Sequence, residues 1–232
     1  MPRLDALGQI HGHPSTGQEG SKDKMRFDWV PYSAASLVLG ATALSVGSLL
    51  LPSYAEAATT VQMAQAQGGL WLAVAVLYFV AAVMLTLGMP SILTLFQVRG
   101  ARFGLTAVGI FTASAAGTAG FAMLLMFVRA LVINAAVPDA TVLDVTRDTG
   151  LTGFLYVWIG TIVLGELLLA LALLRARATP RWIPALLLVH VALLPIAPYL
   201  PEFIGSATPL LLVVALAGIG IRAAAQRARP AY

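Results

Sequence analysis

Two ionisable residues lie inside otherwise apolar stretches of this sequence, and they are the first candidates for chemistry. Glu166 is the only acidic residue deep in such a stretch, and His190 is the only histidine in one. Glu166 precedes Arg175 by nine residues and His190 follows Arg181 by nine, so a helical rise of about 1.5 Å per residue puts both ~13 Å from the same basic boundary. Equal depth on consecutive antiparallel helices would allow the two side chains to meet.

A carboxyl group at that depth is unusual, because a charge at the centre of a bilayer costs about 2.5–3.5 kcal/mol on insertion scales. We therefore expect Glu166 to have a partner or to be neutral. As a functional pair, Glu166 and His190 would exchange a proton or anchor a ligand. The alternative is a buried hydrogen bond that only stabilises the fold, and the Leu, Ile and Val residues around both positions provide no polar path to either.

Arg129 is a third candidate, since it lies near the end of an apolar segment that leads into an acidic connection. The carboxylates of that connection are Asp139, Asp144 and Asp148. A long arginine side chain can reach from the apolar region to such groups, so we expect Arg129 to hold this connection in place. The alternative is contact with an anionic headgroup or an anionic substrate.

Small residues recur every four positions in the same segment, at Gly109, Ala113 and Gly117. In a membrane there is no hydrophobic driving force between helices, so close packing has to stabilise their association. Small residues allow that packing because they let the two helix backbones approach each other. Packing within the protein is the ordinary interpretation of this spacing. The alternative is contact with a membrane-protein partner or with a second copy of the chain.

The residue inventory excludes several kinds of site. With no cysteine, the chain has no disulfide, thiolate metal site or cysteine nucleophile. Both lysines, Lys22 and Lys24, precede the first apolar segment, so no lysine could form a Schiff base inside the membrane. His11 and His13 alone supply too few ligands for a metal site. We predict no metal and no cofactor, and the sequence identifies no catalytic residue.

The composition indicates what must surround these residues. Apolar residues make up 59% of the 232 positions and charged residues only 10%, and the mean hydropathy is +0.87. A soluble domain of this length could not hide so much apolar surface, so the solvent is lipid. Six apolar segments are each near the ~20 residues that cross a bilayer; they are 30–52, 70–97, 104–132, 152–174, 182–199 and 209–225. We predict an all-α transmembrane bundle of six helices, with a bend in the fifth, which carries Pro184, Pro195 and Pro198.

The distribution of basic residues predicts the orientation of this bundle. Twelve of the fourteen Lys and Arg residues fall in the N-terminal stretch, in two alternate connections and at the C-terminal end, while Arg129 and Arg147 fall on the other side. By the positive-inside rule, both termini are cytoplasmic in a multi-pass protein. The preference for Arg over Lys is typical of a high-GC bacterial genome, which favours a bacterial cytoplasmic membrane. Because these basic residues serve orientation, the net charge of +4 does not predict nucleic-acid binding.

Three regions follow from these patterns. We predict a disordered cytoplasmic tail over residues 1–27, a transmembrane domain over 28–226 and a short basic cytoplasmic end over 227–232. Aromatic residues near the segment ends, among them Trp71 and Trp158, are predicted to lie in the interfacial belts of the bilayer.

Several short stretches carry a resemblance to known proteins. They are Leu173-Leu174-Arg175-Ala176-Arg177, Pro180-Arg181-Trp182-Ile183, Leu50-Leu51-Pro52 and Trp71-Leu72. With them, most of residues 30–225 resembles a large group of bacterial six-span membrane proteins that are classed only as domains of unknown function. The resemblance implies a six-helix fold and a location in the membrane, and it carries over no functional residue.

Three kinds of function fit these patterns. The first is an accessory or partner-binding membrane component, which the abundant small residues and scarce chemical groups favour. The second is a small-molecule transporter, or an efflux or immunity component, that uses Glu166 and His190. The third is a membrane enzyme that acts on a lipid, with Glu166 as acid or base near the midplane.

Overall fold

A computed structural model describes residues 28–51, 64–96, 100–134, 144–145, 148–196, 199 and 202–227, without the side chains of 202–206 and 227. Within these ranges every regular element is a helix, which confirms the all-α prediction. The predicted tail over 1–27, with His11 and His13, lies outside the described residues. So does the predicted C-terminal end, apart from the backbone of Arg227.

In the part of the chain that the structure describes, six longer α-helices carry the fold. They are α1 Val30–Leu50, α2 Gly68–Leu93, α3 Ala101–Ile133, α4 Thr149–Ala176, α5 Trp182–Leu193 and α6 Glu202–Arg227, and a 3-10 turn over Thr94–Phe96 extends α2. All but α5 contain a stretch that is long and apolar enough to cross a membrane. The protein is therefore a multi-pass membrane protein by its helices, and α5, with 12 residues, is the short one.

Local chemistry explains where several helices begin and end. The Oδ1 atom of Asp148 accepts a hydrogen bond of 2.8 Å from the Leu151 amide and so caps the first turn of α4. Leu51 follows α1 in an extended conformation because Pro52 disfavours a helical residue before it. Gly100 precedes α3 at φ 73°, and Arg177 follows α4 at φ 51°, so both connections turn through the left-handed region.

The fifth segment differs from its prediction, because its helix stops instead of bending. Helix α5 ends at Leu193, and a turn continues to Ile196. Pro195 has no N–H to donate, and its ring would clash with the carbonyl four residues earlier, so it disfavours continuation of the helix at this point. Among the described residues that follow α5, the turn over 194–196 is therefore where this segment leaves the helical conformation.

The helices form a ring in which each packs against the next in the sequence and α6 packs against α1. Neighbouring helices run in opposite directions. Between α1 and α2, a Cβ added at Gly40 would lie 2.6 Å from the Leu85 amide nitrogen, and one at Gly88 would lie 2.6 Å from the Leu37 Cα. These glycines let the two backbones touch, as small residues do in membrane helices.

The closing contact of the ring, between α6 and α1, is antiparallel as well. A Cβ at Gly220 would lie 3.0 Å from the Ala34 carbonyl oxygen. The Ser45 hydroxyl, further along α1, donates to the carbonyl of Pro209, further back along α6, at 2.9 Å. The start of α1 and the end of α6 therefore lie at the same end of the bundle.

Two apolar clusters fill the ring. The larger one takes residues from all six helices and includes Leu37, Ile92, Phe111, Leu173, Leu187 and Leu216. The smaller one lies towards the end of the bundle at which α2 begins and α3 ends, and includes Trp71, Val74, Tyr78, Ala122 and Leu125. The candidate site lies beside the larger cluster, on the helices α4 and α5.

Candidate functional site

Glu166 points into the bundle because α4 approaches α3 closely at the preceding residue. A Cβ at Gly165 would lie 2.9 Å from the Cα of Phe111, so the two backbones are in contact there. That contact fixes the rotation of α4 and turns the Glu166 side chain inward, where it is 0% exposed. His190 lies in the last turn of α5 and is 4% exposed.

The two side chains are in direct contact. The Nδ1 atom of His190 lies 2.6 Å from the Oε2 atom of Glu166. This separation is at the short end for a hydrogen bond that involves an ionised group. The bond joins α4 to α5 across 24 residues of sequence. The equal depth of the two residues, inferred from the sequence, thus corresponds to a direct contact. The contact forms because both helices are rotated so that the two side chains face each other.

The second carboxylate oxygen of Glu166 is the unusual feature of this site. The Oε1 atom is buried and makes no hydrogen bond within the described part of the chain. Leu169 and Leu187, which lie one turn from Glu166 and His190 on the same helices, are both 0% exposed, so the neighbouring positions of α4 and α5 are apolar and buried as well. A buried polar atom without a partner is costly, about 1–3 kcal/mol, so Oε1 is the atom at which a further interaction would be most favourable.

The chemistry open to this pair is that of one shared proton. Nδ1 and Oε2 can hold a proton between them, and Oε1 can accept one more hydrogen bond. Among the described residues, no group of three His, Cys, Asp or Glu side chains could hold a metal ion. The pair can therefore bind or pass a proton, orient a polar group, or fix α5 to α4.

Arg129 has a different partner from the predicted one. Its Nε atom donates to the carbonyl of Gly68, in the first turn of α2, at 2.6 Å. Among the described residues it makes no ion pair with Asp144 or Asp148, and Asp148 caps α4 instead; Asp139 lies outside the described residues. Arg129 thus joins α3 to α2 through a backbone carbonyl.

Two of the aromatic residues predicted to lie in the interfacial belts, Trp71 and Trp158, pack against other parts of the bundle. Trp71 is 3% exposed. Trp158 on α4 stacks on Phe121 of α3 with ring centroids 4.7 Å apart, and Phe121 meets Tyr78 of α2 edge to face at 5.4 Å. The Trp158 Nε1 atom donates to the Ser114 carbonyl at 3.3 Å. Positions near the ends of apolar segments indicated an interfacial belt, whereas the rings of Tyr78, Phe121 and Trp158 connect α2, α3 and α4.

The small residues of α3 divide between two faces. Gly117 lies against Trp158, and a Cβ at this glycine would overlap the indole ring. Gly109 and Ala113 point outward, and a Cβ at Gly109 would meet nothing within 4 Å. They share one outward stripe, which we call the α3 outer face; its residues are Leu105, Gly109, Ala113, Ala116, Gly120, Met123 and Phe127, all exposed. Packing inside the bundle was therefore the wrong expectation for Gly109 and Ala113.

Comparison with known proteins adds no family to this geometry. Neither protein-family models, nor curated proteins, nor solved structures gave a match to the chain. Function is therefore inferred from the residues of the chain itself.

Proposed function

We propose that this chain is an accessory component of a bacterial cytoplasmic membrane that acts by binding a partner helix within the bilayer. The observation that carries the proposal is the α3 outer face. Its four central residues are Gly or Ala, and larger side chains lie at its ends, with Leu105 61%, Met123 62% and Phe127 59% exposed. At 100° per residue, the seven positions fall within about 80° of the helix circumference.

This face has the shape that membrane helices use for association. A partner backbone can come close at Gly109, Ala113, Ala116 and Gly120, because nothing but Cα or Cβ atoms stands in its way. A neighbouring side chain barely touches the stripe, since the nearest atom to a Cβ at Gly120 is the Phe154 Cζ at 3.9 Å. The partner is either a second copy of the chain or another membrane protein.

Six crossings with both termini in the cytoplasm are part of the proposal. Two features support them: neighbouring helices in the ring run in opposite directions, and twelve of the fourteen basic residues fall in segments that this topology assigns to one side. The chain also has to travel from the end of α4 to the far end of the bundle before α6 returns. The segment 182–201 makes that journey, and α5 is its helical part in the described structure.

Cysteine cross-linking can test the α3 outer face. The natural chain contains no cysteine, so an introduced one is the only thiol. Ala113→Cys gives a chain whose only thiol lies at the centre of the α3 outer face. Oxidation in native membranes should yield a disulfide-linked dimer if the partner is a second copy. If the partner is another protein, a photoreactive reagent attached to the same thiol should give one discrete heavier adduct.

The matched control is Val83→Cys, since Val83 is 39% exposed on the outward face of α2 and no small-residue stripe surrounds it. It should give neither product in the same membranes. Equal cross-linking from positions 83 and 113 would mean random collision in the bilayer. That result, or no product from position 113, would contradict the proposal.

A second candidate, a proton-coupled transporter, is favoured by one observation. The Oε1 atom of Glu166 is buried without a partner in the described structure, which suits a carboxylate that gains and loses an interaction during a cycle. Proton flux that disappears in Glu166→Gln vesicles would favour this candidate over partner binding alone. An enzyme acting on a lipid has less support, because Glu166 is 0% exposed.

A further inference from the structure

Basic residues are concentrated where α4 turns into α5. Arg175 lies in the last turn of α4, and Arg177 and Arg181 lie in the connection that follows, which we call the α4–α5 turn (residues 177–181). All three side chains are exposed. No acidic residue occurs between positions 175 and 182, so this segment contains no counter-ion of its own.

Helix α6 adds a fourth arginine to this place. A Cβ at Gly218 would lie 2.7 Å from the Cη2 atom of Trp182, so α6 contacts the first turn of α5. Arg222 is four residues further on, hence on the same face of α6 and about 6 Å nearer the end of the bundle. That position brings Arg222 level with the α4–α5 turn.

Two buried polar groups in this layer have no partner in the described part of the chain. They are the Nε atom of Arg222 and the hydroxyl of Thr179. Both are hydrogen-bond donors, and a buried donor that stays unpaired costs about 1–3 kcal/mol. Helix α5 also begins here without a side-chain cap or an acidic residue in its first turn, so its own first turn supplies no carboxylate to its positive end. Each of these features would be stabilised by an anion.

We propose that Thr179, Arg222 and the arginines of the α4–α5 turn bind the phosphate group of an anionic phospholipid. Phosphate offers several acceptor oxygens, which suit a guanidinium fork and a hydroxyl together. A lipid is the natural source, because the turn joins two helices at the surface of the bilayer and the neighbouring Trp182 is 49% exposed, as an interfacial indole is. The site is separate from the α3 outer face and does not depend on which side of the membrane it lies.

Native mass spectrometry of the purified full-length chain tests this site, with phosphatidylglycerol and the zwitterionic phosphatidylcholine as probes. The wild type should retain phosphatidylglycerol preferentially. Thr179→Val, which removes one hydroxyl and no charge, should weaken its binding about threefold, and Arg222→Gln about tenfold, since bonds to charged groups are the stronger ones. The matched control is Arg102→Gln, at an exposed arginine on α3. It should weaken phosphatidylglycerol binding by at most about fivefold, which is the loss expected from removing one positive charge near an anionic lipid surface.

The uncharged substitution decides the outcome. If binding is unchanged in Thr179→Val and falls equally in Arg222→Gln and Arg102→Gln, the basic residues attract lipid only through their summed charge and the proposal is wrong. Unfolding midpoints within error of the wild type are required of each variant, so that loss of lipid is not loss of fold. Inorganic phosphate as a competitor separates the two sources: displacement assigns recognition to the phosphate alone, and no displacement assigns it to the whole lipid.

Discussion

At the residue scale, Glu166 has one oxygen bonded to His190 and one oxygen bonded to nothing within the described structure. Its depth was predictable, because distance along a helix from a basic boundary follows from the helical rise. The contact with His190 was not predictable, because it depends on which way α4 and α5 are turned about their own axes. For α4, the close approach at Gly165 determines that orientation. The partner of Arg129 was missed for a similar reason, because a backbone carbonyl on α2 carries no sequence signal.

A double-mutant cycle measures how strongly Glu166 and His190 depend on each other. His190→Leu leaves a carboxylate buried and unpaired, and we expect it to lower the free energy of unfolding by about 3–5 kcal/mol. Glu166→Gln should cost about 1–3 kcal/mol, because the amide can still hydrogen-bond to the imidazole. The double variant should lose less than the sum, with a coupling of about 0.5–3 kcal/mol. Denaturant titration in detergent, followed by tryptophan fluorescence, gives the three values.

The control for this cycle pairs Glu166→Gln with Ser45→Ala, since Ser45 is equally buried but bonds to Pro209 on the other side of the ring. Those two changes should be additive. Additivity for Glu166 and His190 as well would mean that their contact carries no energy. Coupling in stability without any effect on proton flux would assign the pair to the fold and leave partner binding as the function.

At the element scale, α3 illustrates what a spacing pattern can and cannot predict. The four-residue spacing of Gly109, Ala113 and Gly117 indicated close packing, but did not indicate which helix would be packed. The ring places α2 and α4 on either side of α3, so Gly117 faces Trp158 and the other two face outward. For α5, the prolines marked an interruption correctly, but the sequence could not distinguish a bent helix from one that stops at Leu193.

Two glycines of α3 provide a matched test of this division. Gly117→Leu would force the Trp158 indole away from Phe121, and overpacking of this kind costs about 1–3 kcal/mol. Gly109→Leu places the same side chain where nothing lies within 4 Å, so the stability of the isolated protein in detergent should change by less than about 0.5 kcal/mol. Thermal unfolding of both variants gives the comparison. Equal losses would mean that α3 is rotated differently from the arrangement described here.

At the scale of the whole molecule, the sequence predicted a helical protein with membrane-spanning segments better than it predicted how the helices are arranged around the ring. Five of the six predicted segments contain helices long enough to cross a bilayer, because length and hydropathy are local properties. The order of helices around the ring is not local. It depends on which surfaces fit, for example Gly40 and Gly88 between α1 and α2, or Gly220 against Ala34 between α6 and α1.

The path of the short helix α5 decides how many times the chain crosses the membrane. If 182–201 crosses the membrane, a reporter fused after Tyr199 should read outside, as should reporters after positions 60 and 142, whereas those after Gly100 and Ala178 should read inside. If α5 only enters the membrane and returns, Tyr199 would read inside and α6 would carry the C-terminus outside. The antiparallel contacts of α6 with α1 favour the first outcome, because they put the end of α6 beside the start of α1. A C-terminal reporter on the side opposite to an N-terminal one would therefore overturn both the six-crossing topology and the closed ring.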